Sequence, residues 1–268
     1  MIRRRRCLAA ATIGAVVLLV AGCGDDDSST STADGATETS ERSGEAAVID
    51  PGDGGNYQPD IEPANFLEAV DNPYMPLTPG STWVYQGVGD DGEEERIEVT
   101  VTGERRRVMG VSAVVVRDTE YVDGELVEDT FDWFAQDRHG NVWYFGEDTK
   151  EYEGGQLVTT AGSWEAGVDG ALPGIVMLAD PTVGDAYRQE FFAGEAEDMA
   201  EVLHVSATHS IGLGEYQDVL VTEDWTPLEP DVVENKYYAR GVGMIAEETT
   251  AGGEGSAELV EAMPGPVG

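Results

Sequence analysis

Cysteine and long apolar runs are scarce in this chain of 268 residues, and each scarcity excludes a class of protein. The only cysteines are Cys7 and Cys23, which cannot supply a disulfide framework or a cysteine-rich metal site. Beyond residue 21 no apolar run approaches the roughly 20 residues that a helix needs to cross a bilayer. The folded part of the chain is therefore expected to have no disulfide framework and no membrane-spanning helix.

Positive charge is scarce as well. The chain has 15 lysine and arginine residues against 53 aspartate and glutamate residues, which gives a formal net charge of −38. A surface this acidic repels phosphate backbones and anionic lipid head groups. The composition therefore argues against nucleic acid as a partner and is typical of a solvated surface.

The first 22 residues have the three regions of a bacterial signal peptide. Arginines at 3–6 precede an apolar stretch at 8–21, and the stretch ends in Val20-Ala21-Gly22-Cys23. This ending resembles the lipobox of bacterial lipoproteins, in which the cysteine thiol receives diacylglycerol. It predicts cleavage before Cys23, fatty acyl chains such as palmitate on that residue, and a chain held by lipid on the extracytoplasmic face of the cell membrane. The alternative is an ordinary cleaved signal followed by a coincidental cysteine.

Two stretches at the ends of the mature chain lack the apolar residues that a core requires. Residues 23–60 are rich in serine, threonine, glycine and acids, so they are predicted to form a disordered acidic tether. Residues 251–268 are rich in glycine, glutamate and proline, and they are predicted to form a flexible tail. The segment between them, residues 61–250, is predicted to be a single β-rich domain.

Alternation of apolar and polar residues dominates this central region. The sequence Ile-Glu-Val-Thr-Val at residues 97–101 is typical of a strand with one buried face. Asp123-Gly124 joins two β-rich runs and favours a tight hairpin, because glycine tolerates the positive φ that such a turn needs. One helix is predicted at residues 64–70, between Pro63 and the stop signal Asn72-Pro73.

Equal spacing indicates an internal duplication. From Gly80 to Trp133 is 53 positions, and from Gly184 to Tyr237 is again 53. Each interval begins with a glycine before a strand and ends in an aromatic-rich strand.

The duplication and the alternation together predict the fold. The two repeats are expected at about 73–160 and 175–250. The predicted class is mainly β, with antiparallel meander sheets from two similar repeats packed as a sandwich or an open half-barrel. One short N-terminal helix completes it.

Four sequence blocks stand out in the central region. They are Asn72–Leu77 with Pro79-Gly80, Asp132–Asp137 with Gly140–Asp148, Gly162–Gly170, and Lys236–Gly243. Together they resemble a family of uncharacterised bacterial exported proteins and lipoproteins. The resemblance covers nearly all of residues 70–250 and implies a β-rich fold. It implies no activity and no catalytic or binding residues.

The usual motifs of catalysis and metal binding are missing. His204 and His209 are five positions apart in a predicted strand, so they point to opposite faces and cannot share a metal. No nucleophile elbow, phosphate-binding loop or dinucleotide fingerprint occurs. The acidic run at residues 90–95 departs from the pattern of a calcium-binding loop. The sequence therefore predicts no cofactor and no resident metal.

The connection between the predicted repeats carries the candidate binding residues. It contains Trp164, Glu165 and Asp169 within a glycine-rich segment, and Tyr187 and Arg188 follow shortly after it. Long connections with aromatic residues often line clefts, so Trp164 and Arg188 are expected at the mouth of a cleft between the repeats. The simpler alternative is that Trp164 fills the seam between the sheets and that Arg188 pairs with a carboxylate.

These residues favour a non-enzymatic ligand-binding or interaction module displayed on the cell envelope. An arginine between aromatic residues could hold an anionic or carbonyl group, so the predicted ligand is an apolar or anionic small molecule. Any protein partner stays unknown at this point. The alternative is a carboxylate-dependent extracytoplasmic hydrolase that uses Glu165 and Asp169 as acid and base, which requires one of them in an apolar environment.

Overall fold

The computed structural model describes residues 48–51, 56–89 and 92–266. Nearly all of their regular structure is strand, and within these ranges no helix is long and apolar enough to span a membrane. The predicted signal peptide, Cys23 and the tether up to residue 47 lie outside the described residues. The strands are β1 (Val48–Ile49), β2 (Asp71–Asn72), β3 (Met75–Pro76), β4 (Thr82–Val88), β5 (Glu94–Val108), β6 (Val111–Val122), β7 (Glu125–Gln136), β8 (Val142–Asp148), β9 (Glu151–Glu153), β10 (Gln156–Thr159), β11 (Trp164–Glu165), β12 (Leu172–Met177), β13 (Ala186–Arg188), β14 (Glu190–Phe191), β15 (Met199–Ile211), β16 (Gly214–Trp225), β17 (Val233–Ala239), β18 (Gly243–Ala251) and β19 (Ser256–Met263).

Seventeen of these strands form one sheet. Strands β4 to β8 pair in sequence order, and β15 to β19 do the same, always antiparallel. Between the two groups β12 pairs with β8 and β14, and β13 pairs with β15. Finally β19 pairs with β4 and brings the sheet back to its start. The sheet is nearly closed into a barrel-like shape, which confirms the predicted β-rich, half-barrel class.

The two halves of the sheet repeat one pairing scheme, as the equal spacing predicts. Before β4, Gly80 N donates to Val101 O (2.8 Å), and before β13, Gly184 N donates to Val202 O (2.8 Å). The pairing of β4 to β8 then corresponds to that of β13, β15, β16, β17 and β18.

The hairpin predicted at Asp123-Gly124 is confirmed between β6 and β7. Both residues have positive φ angles, 51° and 82°, as a tight turn of this kind requires.

The helix predicted at residues 64–70 is wrong. Only Pro63–Asn65 form a single 3-10 turn. Two residues later Leu67 N donates to Gln136 O (2.8 Å). From Leu67 the backbone therefore bonds to the end of β7 and no longer to the preceding turn of its own chain.

Both ends of the described chain pack on the sheet. The flexible tail predicted at 251–268 is wrong, because Ser256–Met263 form β19 between β18 and β4. Near the other end, β1 pairs with β13, and the buried Tyr57 donates its hydroxyl to Pro173 O (2.7 Å). The predicted tether of residues 23–60 therefore includes residues that are packed on the domain.

The middle of the sheet is covered on both faces. Burial runs over consecutive residues at the end of β7, from Asp132 to Gln136, where the sequence alternation also breaks down. On β12 the chain comes close to the junction of β13 and β14. A Cβ added at Gly174 would lie 2.2 Å from the carbonyl carbon of Gln189, so this junction requires glycine.

Candidate functional site

A cavity of about 90 Å³ lies inside the sheet and is bordered by strands of both halves. Most of its wall is apolar, and its polar side chains are Asp118, Asp132, Gln189 and Lys236, together with tyrosine hydroxyls. The aromatic part of the wall consists of Tyr74, Trp83, Tyr85, Phe134 and Tyr238. A mainly apolar cavity with a few convergent polar groups is the usual form of a small-molecule site.

A short hairpin outside the main sheet borders this cavity. It comprises β2, β3 and the turn between them, residues 71–76, and we call it the cap hairpin. Gln136 Oε1 accepts hydrogen bonds from the N–H groups of both residues of β2 (2.8 Å each). Pro73 O accepts another from Gly241 N (2.7 Å). The cap hairpin is thus fixed to the end of β7 and to the turn that follows β17.

Three of the four sequence blocks meet at the cavity. Tyr74 comes from the first block, Asp132 from the second and Lys236 from the fourth. The guanidinium of Arg240, also in the fourth block, lies 4.6 Å from the centre of the Tyr74 ring. These three blocks therefore contribute part of the cavity wall.

Lys236 supplies positive charge to the cavity wall. Its Nζ lies 3.4 Å from Asp224 Oδ2 and 3.5 Å from Glu247 Oε2, and Gln189 Nε2 donates to the same Asp224 oxygen (3.1 Å). Burial opposes the charge on Lys236, but the two carboxylates outweigh it and raise the pKa of Lys236 well above its usual value. Lys236 therefore stays charged, and its charge is compensated by groups of the protein.

Asp118, in contrast to Lys236, has neighbours of its own charge type. Its side chain lines the cavity and is only 3% exposed. Burial and the nearby acids, Asp132 first among them, raise the pKa of Asp118 well above its usual value, and no hydrogen bond from a described residue offsets them. A buried carboxyl of this kind is costly for a fold unless something satisfies it.

Asp132 and Glu147 share the hydroxyl of Tyr144. Tyr144 Oη lies 2.7 Å from Asp132 Oδ1 and 2.8 Å from Glu147 Oε2. The hydroxyl has one proton, so both contacts can be hydrogen bonds only when one of the carboxyls is itself protonated. Burial, despite the Tyr144 hydrogen bond, raises the pKa of Asp132 to about 7, and burial together with the Asp132 charge raises the pKa of Glu147 well above its usual value.

The second half of the sheet has an ion pair at the matching place. Asp132 lies opposite Glu147 across β7 and β8, and Lys236 lies opposite Glu247 across β17 and β18. The duplicated scaffold thus places an acidic pair at one side of the interior and a compensated lysine at the other.

The acidic pair makes stability depend on pH in an unusual direction. The pKa of Asp132 is 3.8 in its reference state and about 7 in the fold. Its contribution to the stability of the folded state is therefore fully present below about pH 4 and is lost as the pH rises through 7. The free energy of unfolding should fall across this window, with a slope of about 1.4 kcal/mol per pH unit from this group. Asp132→Asn should flatten the slope and stabilise the protein at pH 8, as measured by urea unfolding at several pH values. Asp231→Asn, at an exposed position, is the control, and an equal slope in wild type and Asp132→Asn would contradict the assignment.

The sequence candidates Trp164, Glu165 and Asp169 lie together in a separate surface groove of about 330 Å³. Arg106 lies along it, with its guanidinium 3.8 Å from the centre of the Trp133 ring and in an ion pair with Glu165. The Glu165 side chain is 30% exposed and Asp169 is exposed. The hydrolase alternative requires one desolvated acid in this pair, and neither Glu165 nor Asp169 is desolvated, although the buried Glu147 lines the same groove.

The other candidates, Tyr187 and Arg188, are buried away from the groove. Arg188 is 0% exposed, with its guanidinium 5.8 Å from the Tyr57 ring centre and 5.0 Å from that of Phe191. Trp164 is 4% exposed and packs edge-on against Tyr144 (5.3 Å between ring centres). Trp164 lines the groove and Arg188 does not, so the structure does not bring the two side chains together at the mouth of one cleft.

Sequence reasoning missed Asp118, Asp132 and Lys236 as site residues. A signal was present, because Asp118 continues the face of Val116 at period two and Lys236 continues the face of Tyr238. A charged residue in register with an inward-facing apolar row indicates a group inside the sheet, where it has to be compensated.

Comparison with known proteins finds two similar structures. The chain matches no described protein family and no curated protein. One similar structure is a candidate exported protein with a YmcC-like fold from Bacteroides fragilis, with 14% identity and a TM-score of 0.43 over 71% of this chain and 99% of that one. The other is a candidate lipoprotein from Parabacteroides distasonis, with 12% identity and a TM-score of 0.38 over 72% of this chain and 99% of that one.

Proposed function

We propose that this chain is an extracytoplasmic lipoprotein, anchored to the cell membrane through acylated Cys23, that binds a small molecule in its interior cavity without catalysing a reaction. The signal-peptide pattern that ends at Cys23 supports the location. The cavity supports the binding role. The two parts are independent, and each has its own test.

The observation that carries the binding role is the buried Asp118 carboxyl in a cavity wall that is mainly apolar. Desolvating a polar group without a partner costs free energy, so buried polar groups are normally hydrogen-bonded. A core selected only for stability gains nothing from this carboxyl. A binding site gains from it, because a ligand that hydrogen-bonds to Asp118 offsets the free energy lost by desolvating the carboxyl.

An apolar body suits the ligand, since most of the cavity wall is apolar. The anionic group expected from Arg188 has no support in the geometry, because that guanidinium does not line the cavity and is enclosed near Tyr57 and Phe191. The groove at Glu165 is the weaker binding candidate, because Arg106, the one basic residue that lines it, already pairs with Glu165.

Filling the cavity should abolish binding. Val116 lines the cavity and lies two residues before Asp118 on the same strand, so Val116→Phe places a ring in the space that the ligand would use. We expect native mass spectrometry of protein isolated from its own membrane to detect a small molecule that is lost under denaturing conditions. Its occupancy should fall at least about tenfold in Val116→Phe, which corresponds to about 1.4 kcal/mol.

The control for this test is Val260→Phe, on the exposed side of β19. Circular dichroism checks that both variants fold, since overpacking a core costs about 1–3 kcal/mol. Equal occupancy of the same molecule in wild type and Val116→Phe would place its site elsewhere and contradict the proposal.

A further inference from the structure

The cavity wall carries an acid, Asp118, that pairs with no cation of the same wall. Asp118 and Lys236 both line it, but Lys236 forms its ion pairs with Asp224 and Glu247. The groups that act on the Asp118 carboxyl besides burial are all acidic. Burial and these acids raise the pKa of Asp118 and favour its protonated form in the empty cavity, so an incoming cation would take the place of that proton and pair with the carboxylate.

The rest of the wall suits an organic cation better than a hydrated one. Five aromatic side chains surround the same space, among them Trp83, Phe134 and Tyr238. Aromatic faces attract ammonium groups through the ring quadrupole and also pack against their alkyl substituents, and this attraction is strongest away from water. A bare metal ion would need several oxygen ligands, whereas an ammonium group needs one carboxylate and apolar surface.

Asp132 also favours a positively charged ligand. It lies on the strand next to Asp118, and the register places it opposite Val116 on the cavity face. Its carboxyl shares the Tyr144 hydroxyl with Glu147. Asp118 and Asp132 therefore place two carboxyls on adjacent strands of the cavity wall.

We propose that the cavity binds a compact organic ammonium group, with its nitrogen at the Asp118 carboxylate and its carbon substituents against the aromatic wall. This inference rests on the proposed function and specifies its ligand class. The cavity volume of about 90 Å³ limits the buried part to a small head group, since a cavity of about 150 Å³ binds benzene. A longer ligand would extend past the cap hairpin.

Three probes with one shape and different charge test this. The tert-butylammonium ion, tert-butanol and pivalate share a tert-butyl body and carry a positive, a neutral and a negative head. Binding to the full-length protein in detergent micelles is measured by calorimetric titration or by ligand-observed NMR. The ammonium ion should bind about tenfold to a hundredfold more tightly than tert-butanol, as expected for a charge-assisted hydrogen bond, and pivalate should bind most weakly.

Asp118→Asn keeps the shape of the side chain and removes its charge. It should erase the preference for the ammonium ion and leave tert-butanol binding unchanged, while Asp231→Asn at an exposed position should leave all three affinities unchanged. If Asp118→Asn does not fold, the order of the three affinities in the wild-type protein still shows whether the cavity prefers a cation. Equal or tighter binding of tert-butanol or pivalate, or an ammonium preference that persists in Asp118→Asn, would overturn the cation assignment while leaving the cavity as a binding site. Failure of all three probes, with no molecule found by native mass spectrometry, would overturn the proposed function as well.

Discussion

A chain that ends after Gly255 is expected not to fold. The missing segment is β19, which pairs with β18 on one side and with β4 on the other. Its residues Ala257 and Leu259 are 2% and 1% exposed, so they belong to the core. Removing them exposes two unpaired strand edges and opens the interior, and an opened sheet of this kind loses the core that both halves share.

The control for this truncation ends after Pro266 and keeps all of β19. Near-ultraviolet circular dichroism and limited proteolysis distinguish the two proteins, since the shorter one should lose its fixed aromatic environment and be digested rapidly. The flexible tail expected from composition makes the opposite prediction. A shorter chain that unfolds at the same urea concentration as the control would show that β19 is dispensable.

Cys23→Ala is expected to abolish acylation completely, because the thiol that receives the lipid is gone. The lipobox-like sequence before it would no longer be processed, so the precursor should keep its signal segment and its full mass. Incorporation of labelled palmitate and the mass of the isolated protein measure both effects. Cys7→Ala is a matched control, since Cys7 is the only other cysteine and lies in the segment predicted to be removed. A Cys23→Ala protein that still carries label, or that has the mass of a mature lipoprotein, would contradict the lipid anchor.

Much of the fold follows from local patterns that the sequence displays openly. The alternation at residues 97–101 forms part of β5, and the Asp123-Gly124 turn joins β6 to β7. The equal spacing from Gly80 and from Gly184 reflects a pairing scheme that the two halves share.

The errors arose where tertiary contacts replaced local preference. β19 has only a few buried residues among its acids, so its composition resembles a loose end, and its two neighbouring strands supply the order. Residues 64–70 have helical signals, but Gln136 on β7 offers a backbone partner that the local sequence does not reveal. Such competition between local propensity and long-range pairing is decided by the tertiary structure.

The candidate site was harder to predict than the fold. Charged side chains are usually expected on the surface because burying them is costly. Asp118, Asp132 and Lys236 are inside. The partners of Lys236, Asp224 and Glu247, lie on the neighbouring strands β16 and β18, and only the cross-strand register brings them together. The groove residues Trp164 and Glu165 stand out in the sequence because they lie in a glycine-rich connection, but Trp164 is buried against Tyr144 and Glu165 pairs with Arg106.

The most direct test of the central claim is a crystal structure of the protein isolated from its own membrane, with attention to the cavity. The account predicts electron density for an ordered molecule other than water, in contact with the Asp118 carboxyl and with the Trp83 and Tyr238 rings. A cavity that holds only water, or one that has collapsed so that Asp118 pairs directly with Lys236, would contradict it.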